Sequence, residues 1–210
     1  MGVVCADCAA AHGARPKGLK MTNRKLVAAV SLCLAVGASA SGVALAAKNA
    51  AVPRKVTVTA IQKNKVVPNR YFQDGLRWDR DVYRVKSGGT ITVLNNAAGE
   101  GAHTLTVVKE KDLPRTVKAV FTCKICNKLF LAHGADPNTG GPPKFQYLEN
   151  GVGQNTPPNL DRPGDSGLTD ATGQGKKGEK ISFKVTAKKG KELYFMCIIH
   201  PWMQAKVLVQ

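Results

Sequence analysis

The sequence predicts an all-β domain, an antiparallel β-sandwich interrupted by one long Gly/Pro-rich insertion. Apolar residues recur with period two in several short runs from residue 55 onward, Gly-containing turns separate those runs, and helical periodicity is scarce. The chain has 210 residues and 43% hydrophobic content, enough for one modest core once a leader and an insertion are set aside. At 6% aromatic and 21% charged, the composition argues against wholesale disorder.

The N-terminal block sets the compartment. A positive stretch, Lys20-Met21-Thr22-Asn23-Arg24-Lys25, precedes an apolar run over residues 26–47, and Ala44 and Ala46 place small residues where a signal peptidase reads. Residues 21–46 are therefore expected to be a signal peptide, with residues 1–20 an over-extended start or a long n-region. A retained N-terminal membrane anchor is the alternative, since the run is long enough to span. The Ala, Gly and Ser content makes it weakly hydrophobic and favours cleavage. Either way the domain, residues 47–210, is expected outside the cytoplasm: periplasm, cell envelope or extracellular space.

The first strand is expected at Val56-Thr57-Val58-Thr59 and the next at Ile91-Thr92-Val93-Leu94, after a turn at Ser87-Gly88-Gly89. Residues 105–108 continue directly from His103 as a third. Ile181-Ser182-Phe183-Lys184-Val185-Thr186-Ala187 puts Ile, Phe, Val and Ala on one face. The turn Lys188-Lys189-Gly190-Lys191 leads into residues 193–197, and residues 205–209 close the chain. A helical turn or two is admissible near 77–82 or 109–115. Between Gly134 and Gly175 stand nine Gly and six Pro, so residues 121–175 read as a long loop or irregular subdomain.

Export also changes the cysteine arithmetic. Of six cysteines, Cys5, Cys8 and Cys33 leave with the leader. Cys123 and Cys126 remain as a local pair, and Cys197 is odd. The informative segment is Tyr194-Phe195-Met196-Cys197-Ile198-Ile199-His200-Pro201-Trp202-Met203, where a thiol, an imidazole and a thioether recur at three-residue spacing between two strands. His103 precedes another strand. Two imidazoles and a thiolate in a plane, with a weak axial thioether, are the ligand set of a blue-copper electron-transfer site. Cys197 is expected to supply the covalent metal–sulfur bond, His103 and His200 to bind in both oxidation states, and Met203 to tune the potential from the axial side. The backbone N–H of Thr104 is expected on the thiolate. Met196, adjacent to Cys197, should point to the opposite face and into a core.

On these residues the sequence resembles the cupredoxin family of small exported blue-copper proteins. The Cys-x2-His-Pro-aromatic-Met loop is most similar to that of amicyanin, with plastocyanin-like relatives using a longer variant. Gly99-Glu100-Gly101-Ala102-His103-Thr104 matches the first-histidine loop, and the resemblance covers about residues 55–110 and 178–210. It implies a Greek-key sandwich, one copper ion cycling between Cu(I) and Cu(II), and a carrier that shuttles single electrons between larger redox proteins without turnover of its own. The separation between His103 and Cys197 departs from compact members, because the insertion lies between them.

Other readings compete with these. For Cys123-Lys124-Ile125-Cys126 the expectation is a disulfide pinning the insertion; a second metal or redox site with His133 is the alternative, short of the four ligands a structural zinc needs. Gly164-Asp165-Ser166-Gly167 and Leu131-Ala132-His133 echo serine-protease loops, but His133 and Ser166 are close in sequence and the second Gly is missing. Removing residues 1–46 leaves 26 basic and 13 acidic residues, a net charge of +13. This points to acidic docking surfaces on protein redox partners and, outside the cytoplasm, away from nucleic acid. Pro201 and Trp202 are expected to flank an exposed His200 edge as an apolar rim on a monomeric protein. Copper storage, delivery or resistance on the same fold is the rival function.

Overall fold

The computed structural model describes residues 51–210 except 98, 100, 137, 171 and 173. The expected leader and the residues before it lie outside the described residues, as does Glu100 of the first-histidine loop. In chain order the strands are β1 (Lys55–Ile61), β2 (Lys65–Val67), β3 (Tyr71–Gln73), β4 (Arg77–Trp78), β5 (Val82–Val85), β6 (Thr90–Asn95) and β7 (Thr104–Val108). Helices α1 (Val117–Phe121) and α2 (Lys124–Ala132) follow. The chain continues through β8 (Tyr147–Glu149), β9 (Val152–Gln154), β10 (Asn159–Leu160), β11 (Ser166–Leu168), β12 (Lys180–Val185), β13 (Glu192–Met196) and β14 (Gln204–Val209).

The strands form a two-sheet sandwich, ordered β10-β12-β6-β1-β4 in one sheet and β5-β14-β13-β7-β11-β8-β9 in the other; β2 and β3 pair as a separate hairpin. Period-two burial makes the interface. β12 buries Ile181, Phe183 and Val185, and β14 buries Ala205, Val207 and Val209, while their alternate residues face outward. Phe195, fully buried, packs against Trp78 and Tyr83 at ring-centroid distances of 5.8 and 6.0 Å. Burying such a side chain stabilises the fold by about 1.5–3 kcal/mol. The six expected strands are all present, and both turns sit where glycine permits a positive φ, at Gly88 (75°) and Gly190 (89°).

Three pairings, β1 with β6, β5 with β14 and β10 with β12, are parallel. Between β1 and β6 the chain crosses to the other sheet as β5, so it returns in the same direction. Residues 109–115 do hold a short 3-10 turn, Glu110–Asp112. Residues 77–82 are not helical. Trp78 is instead drawn into the core on β4, and Asp79 Oδ1 accepts from Thr59 N–H (2.8 Å) and the Tyr83 hydroxyl (2.8 Å), which holds the segment extended along β1.

The insertion holds more regular structure than its composition suggests. β8, β9 and β11 extend the second sheet, β10 extends the first, and α2 lies over the outer face of the second. That cover explains why all five residues of β7 are buried. Leu105 and Val107 face the sandwich, whereas Val108 joins Cys126, Leu129, Leu148, Met196 and Ile198 in a second apolar cluster. β11 approaches closely because Gly167 has no side chain; a Cβ there would lie 2.6 Å from Phe183 Cζ and 2.8 Å from Tyr147 Cδ1.

Candidate metal centre

Strand pairing assembles the centre. β7 and β13 are antiparallel with Thr106 opposite Met196, so His103, just before β7, and Cys197, just after β13, meet at one end of the sheet. β13 and β14 are joined by the 197–203 loop, which carries His200 and Met203. Cys197 N–H donates to Met203 O (3.0 Å) and Met203 N–H to His200 O (2.8 Å), closing the loop on itself. Trp78 Nε1 donates to the same Met203 carbonyl at 3.1 Å, and Trp202 Nε1 to Leu76 O at 3.0 Å.

His103, Cys197 and His200 come together with their ligand atoms all within 4.8 Å of one another, the one such group of three or more among the described residues. Cys197 Sγ lies 4.0 Å from His103 Nδ1 and 3.7 Å from His200 Nδ1. Those distances are long for direct hydrogen bonds. They match a shared metal: bonds of about 2.3 Å to sulfur and 2.0–2.1 Å to nitrogen, opened to 120°, separate S from N by about 3.8 Å. Burial pushes the Cys197 thiol up, but the His103 and His200 rings outweigh it and hold the thiol well below its ordinary range. A buried thiolate between two imidazoles fits one copper ion, as the cupredoxin resemblance implies.

The surroundings hold this geometry from several sides. Thr104 N–H donates to Cys197 Sγ at 3.3 Å, as expected, and Thr104 Oγ1 accepts Ile198 N–H at 2.8 Å. His103 is fully buried, lies edge-on to Trp78 at 6.3 Å, and its Nε2 has no hydrogen-bond partner, so packing orients this ring. His200 is half-buried, with the exposed Trp202 at 5.3 Å between ring centroids. Pro201 is buried, so it contributes to the loop's interior and leaves the apolar rim to Trp202. Met203 and Met196 are both fully buried but in different clusters: Met203 in the sandwich with Cys197, Met196 in the second core.

Three positioning residues escape a reading of the sequence. Asn95 Nδ2 donates to Gly101 O (3.1 Å) and its Oδ1 accepts Ala97 N–H (3.1 Å), tying down the approach to His103. Its signal was a polar residue in the inward register of β6. Thr169, at the end of the insertion, bonds the His103 backbone. Trp78 supports Met203, and nothing local marked either of these two.

Cys123 and Cys126 come together as a pair, with Cα atoms 5.2 Å apart, inside disulfide range. His133 is not with them. Its Nε2 instead lies 3.0 Å from Ser166 Oγ, 33 positions along the chain. A hydrolytic dyad is nevertheless excluded by burial, at 1% and 0% exposure, and by a backbone carbonyl where a triad has its acid.

No protein-family model matches the chain, and no curated protein matches it. Solved structures of similar fold include dithionite-reduced auracyanin from the photosynthetic bacterium Roseiflexus castenholzii, at 14% identity over 76% of this chain and 98% of that one, TM-score 0.41. Auracyanin A, a blue copper protein from Chloroflexus aurantiacus, matches at 16% identity over 74% and 99%, TM-score 0.39. A purple cupredoxin from Nitrosopumilus maritimus matches at 11% identity over 74% and 99%, TM-score 0.36. All three scores are below 0.5.

Proposed function

We propose that the chain is an exported, mononuclear type 1 copper protein that passes single electrons between redox partners. The observation that carries this is the buried Cys197 sulfur with imidazole nitrogens at 3.7 and 4.0 Å and the Thr104 N–H behind it. Copper bound there supplies a one-electron couple. Cys197, His103 and His200 would hold it, with Met203, buried in the same core as Cys197, as the further sulfur ligand. The 197–203 loop is closed by two backbone bonds and braced by Trp78, so the ligand positions are set before an electron arrives. A delivery site would gain from an open, exchangeable loop; this one is held.

The electron path leaves through His200, the half-buried ligand, beside Trp202. Trp202 also lines a groove with Val117, Phe121 and Pro114, and Val117 and Phe121 are 75% and 81% exposed. An apolar contact of this size suits a brief encounter. The basic charge attracts an acidic partner to it. Export is supported by the leader-like segment and by a chain whose remaining cysteines divide into one pair, taken as a disulfide, and one ligand. The reading is tested by protein-film voltammetry and self-exchange measurements on the copper form. A reversible one-electron couple with fast self-exchange is expected, and copper that dissociates on reduction would assign the site to storage or delivery.

A further inference from the structure

Cys123 and Cys126 bracket the first turn of α2: Cys123 is the N-cap, and Cys126 is the third residue of the helix. A bridge between them has a sequence separation of 3 and joins α2 to no other element. Cross-linking constrains the unfolded chain less the shorter the loop it closes, and this loop is close to the shortest. Other groups fasten the helix to the sheet. Leu129 is buried in the second core, and the His133 ring at the far end has Nδ1 2.8 Å from Phe145 O and Nε2 3.0 Å from Ser166 Oγ. As a staple, a bridge placed here adds little.

Its surroundings favour the reduced pair. Cys126 N–H donates to Cys123 Sγ at 3.3 Å, the bond that a Ser or Asp oxygen accepts at other helix starts. A disulfide sulfur accepts weakly, whereas a thiolate accepts strongly. The first turn of α2 holds no acidic residue. It holds Lys124 instead, at the helix end where a cation is unfavourable, and Lys128 follows at the spacing where like charges repel. Lys111 and Arg115 line the same groove as Cys123, Lys124 and Lys128, with Asp112 its one acid. None of these four cations is in an ion pair among the described residues. A cluster of like charges disfavours the compact state unless an anion sits among them, and a Cys123 thiolate is such an anion. Cys123 is 9% exposed and Cys126 3%, so Cys123 is the residue an incoming group reaches first.

We propose that Cys123 and Cys126 form a redox-active pair that exchanges with the thiol–disulfide couple of an acidic peptide. A ligand thiol, as thiolate, attacks Cys123 Sγ. The Cys123–Cys126 bond breaks, and Cys126 leaves with its electron pair and takes up the proton that the thiol lost. A second ligand thiol then attacks the ligand sulfur of the mixed disulfide and displaces Cys123 as a thiolate, its own proton passing to solvent. Two thiols have become one disulfide and two electrons have entered the pair; the reverse sequence returns them. The excess of cations along the groove selects thiols that carry carboxylates. No metal ligand takes part, so this activity stands apart from the copper reading.

The test equilibrates the full metal-free chain with reduced and oxidised glutathione, an acidic peptide thiol. Differential alkylation and mass spectrometry then read the peptides that carry Cys123 and Cys126. In a buffer poised like an oxidising secretory compartment, where a structural disulfide stays intact, most of the pair should be reduced. Cys126→Ser should trap glutathione on Cys123. Lys124→Gln/Lys128→Gln should shift the equilibrium toward the disulfide by about threefold or more, and slow exchange with glutathione more than with β-mercaptoethanol, which has no carboxylate. Linkage supplies a second readout. A bridge that is easily reduced in the native state destabilises that state, so the reduced chain should unfold at a urea concentration no lower than the oxidised chain does. A pair that stays oxidised in this buffer, or a reduced chain that unfolds at lower urea, would overturn the proposal and make the bridge a staple. Exchange that Lys124→Gln/Lys128→Gln leaves unchanged would refute the acidic class of ligand.

Discussion

Thr169 holds His103 by both of its backbone groups: its hydroxyl accepts His103 N–H at 3.1 Å, and its own N–H donates to His103 O at 2.9 Å. Thr169 belongs to the insertion, directly after β11, and Asp170 beside it accepts Thr172 N–H (2.8 Å) and Gly175 N–H (2.7 Å) to fold the following loop. A segment that composition alone reads as a long loop thus fixes the more deeply buried of the two histidines.

Thr169→Val keeps the shape and deletes the acceptor. A buried N–H left without a partner costs about 1–3 kcal/mol. Urea unfolding of the metal-free variant should show a loss in that range with an unchanged m-value, and copper should be held less tightly. Wild-type stability in this variant would show that the bond contributes nothing.

Met203 is fully buried in the sandwich core, and leucine approximates its volume. Met203→Leu should therefore fold, keep its colour and show a raised reduction potential, because loss of the sulfur leaves a drier, apolar neighbour that disfavours Cu(II). A lowered potential or a copper-free variant would remove Met203 from the axial position.

His133 also predicts a pH dependence. Burial, partly offset by the bond to Phe145, pushes its pKa from 6.5 down to about 4. Below pH 6.5 the unfolded chain gains a proton that the native state refuses until about pH 4. Native stability from this residue is therefore complete above pH 6.5 and falls as pH drops to 4, by about 3 kcal/mol in all. His133→Gln lacks the effect, so its stability relative to wild type should improve by about that amount between pH 7 and pH 4. A constant difference across the range would contradict the buried, neutral imidazole.

What was legible in the sequence follows from how each signal is encoded. The strands β1, β6, β12, β13 and β14 announce themselves because alternate burial is written in consecutive residues. Cys197, His200 and Met203 share one short loop, and strand pairing brings His103 to it. The insertion was opaque for the opposite reason: β8 to β11 have two or three residues each, too few to show a period. Support for the centre was least legible, because Thr169 and Trp78 act through pairings 66 and 125 positions apart in sequence.

On the proposed electron-transfer reading, charge and the Trp202 rim should make separable contributions to electron exchange. The net +13 of residues 47–210 acts over a Debye length of about 8–10 Å at ordinary salt, whereas Trp202 acts only on contact. In stopped-flow transfer with an acidic cytochrome, the second-order rate should fall steeply as salt rises. Trp202→Ala should slow it at every salt concentration. Indifference to both would place the exit elsewhere.

The most direct test of the copper centre is the visible and EPR spectrum of the Cu(II)-loaded mature domain, compared with Cys197→Ser. The geometry at Cys197, His103 and His200 predicts one copper per chain, an intense blue or green thiolate-to-copper band, and complete loss of that band in Cys197→Ser while His133→Ala stays coloured. A coloured Cys197→Ser protein, or a wild type that binds no stoichiometric copper, would contradict the assignment.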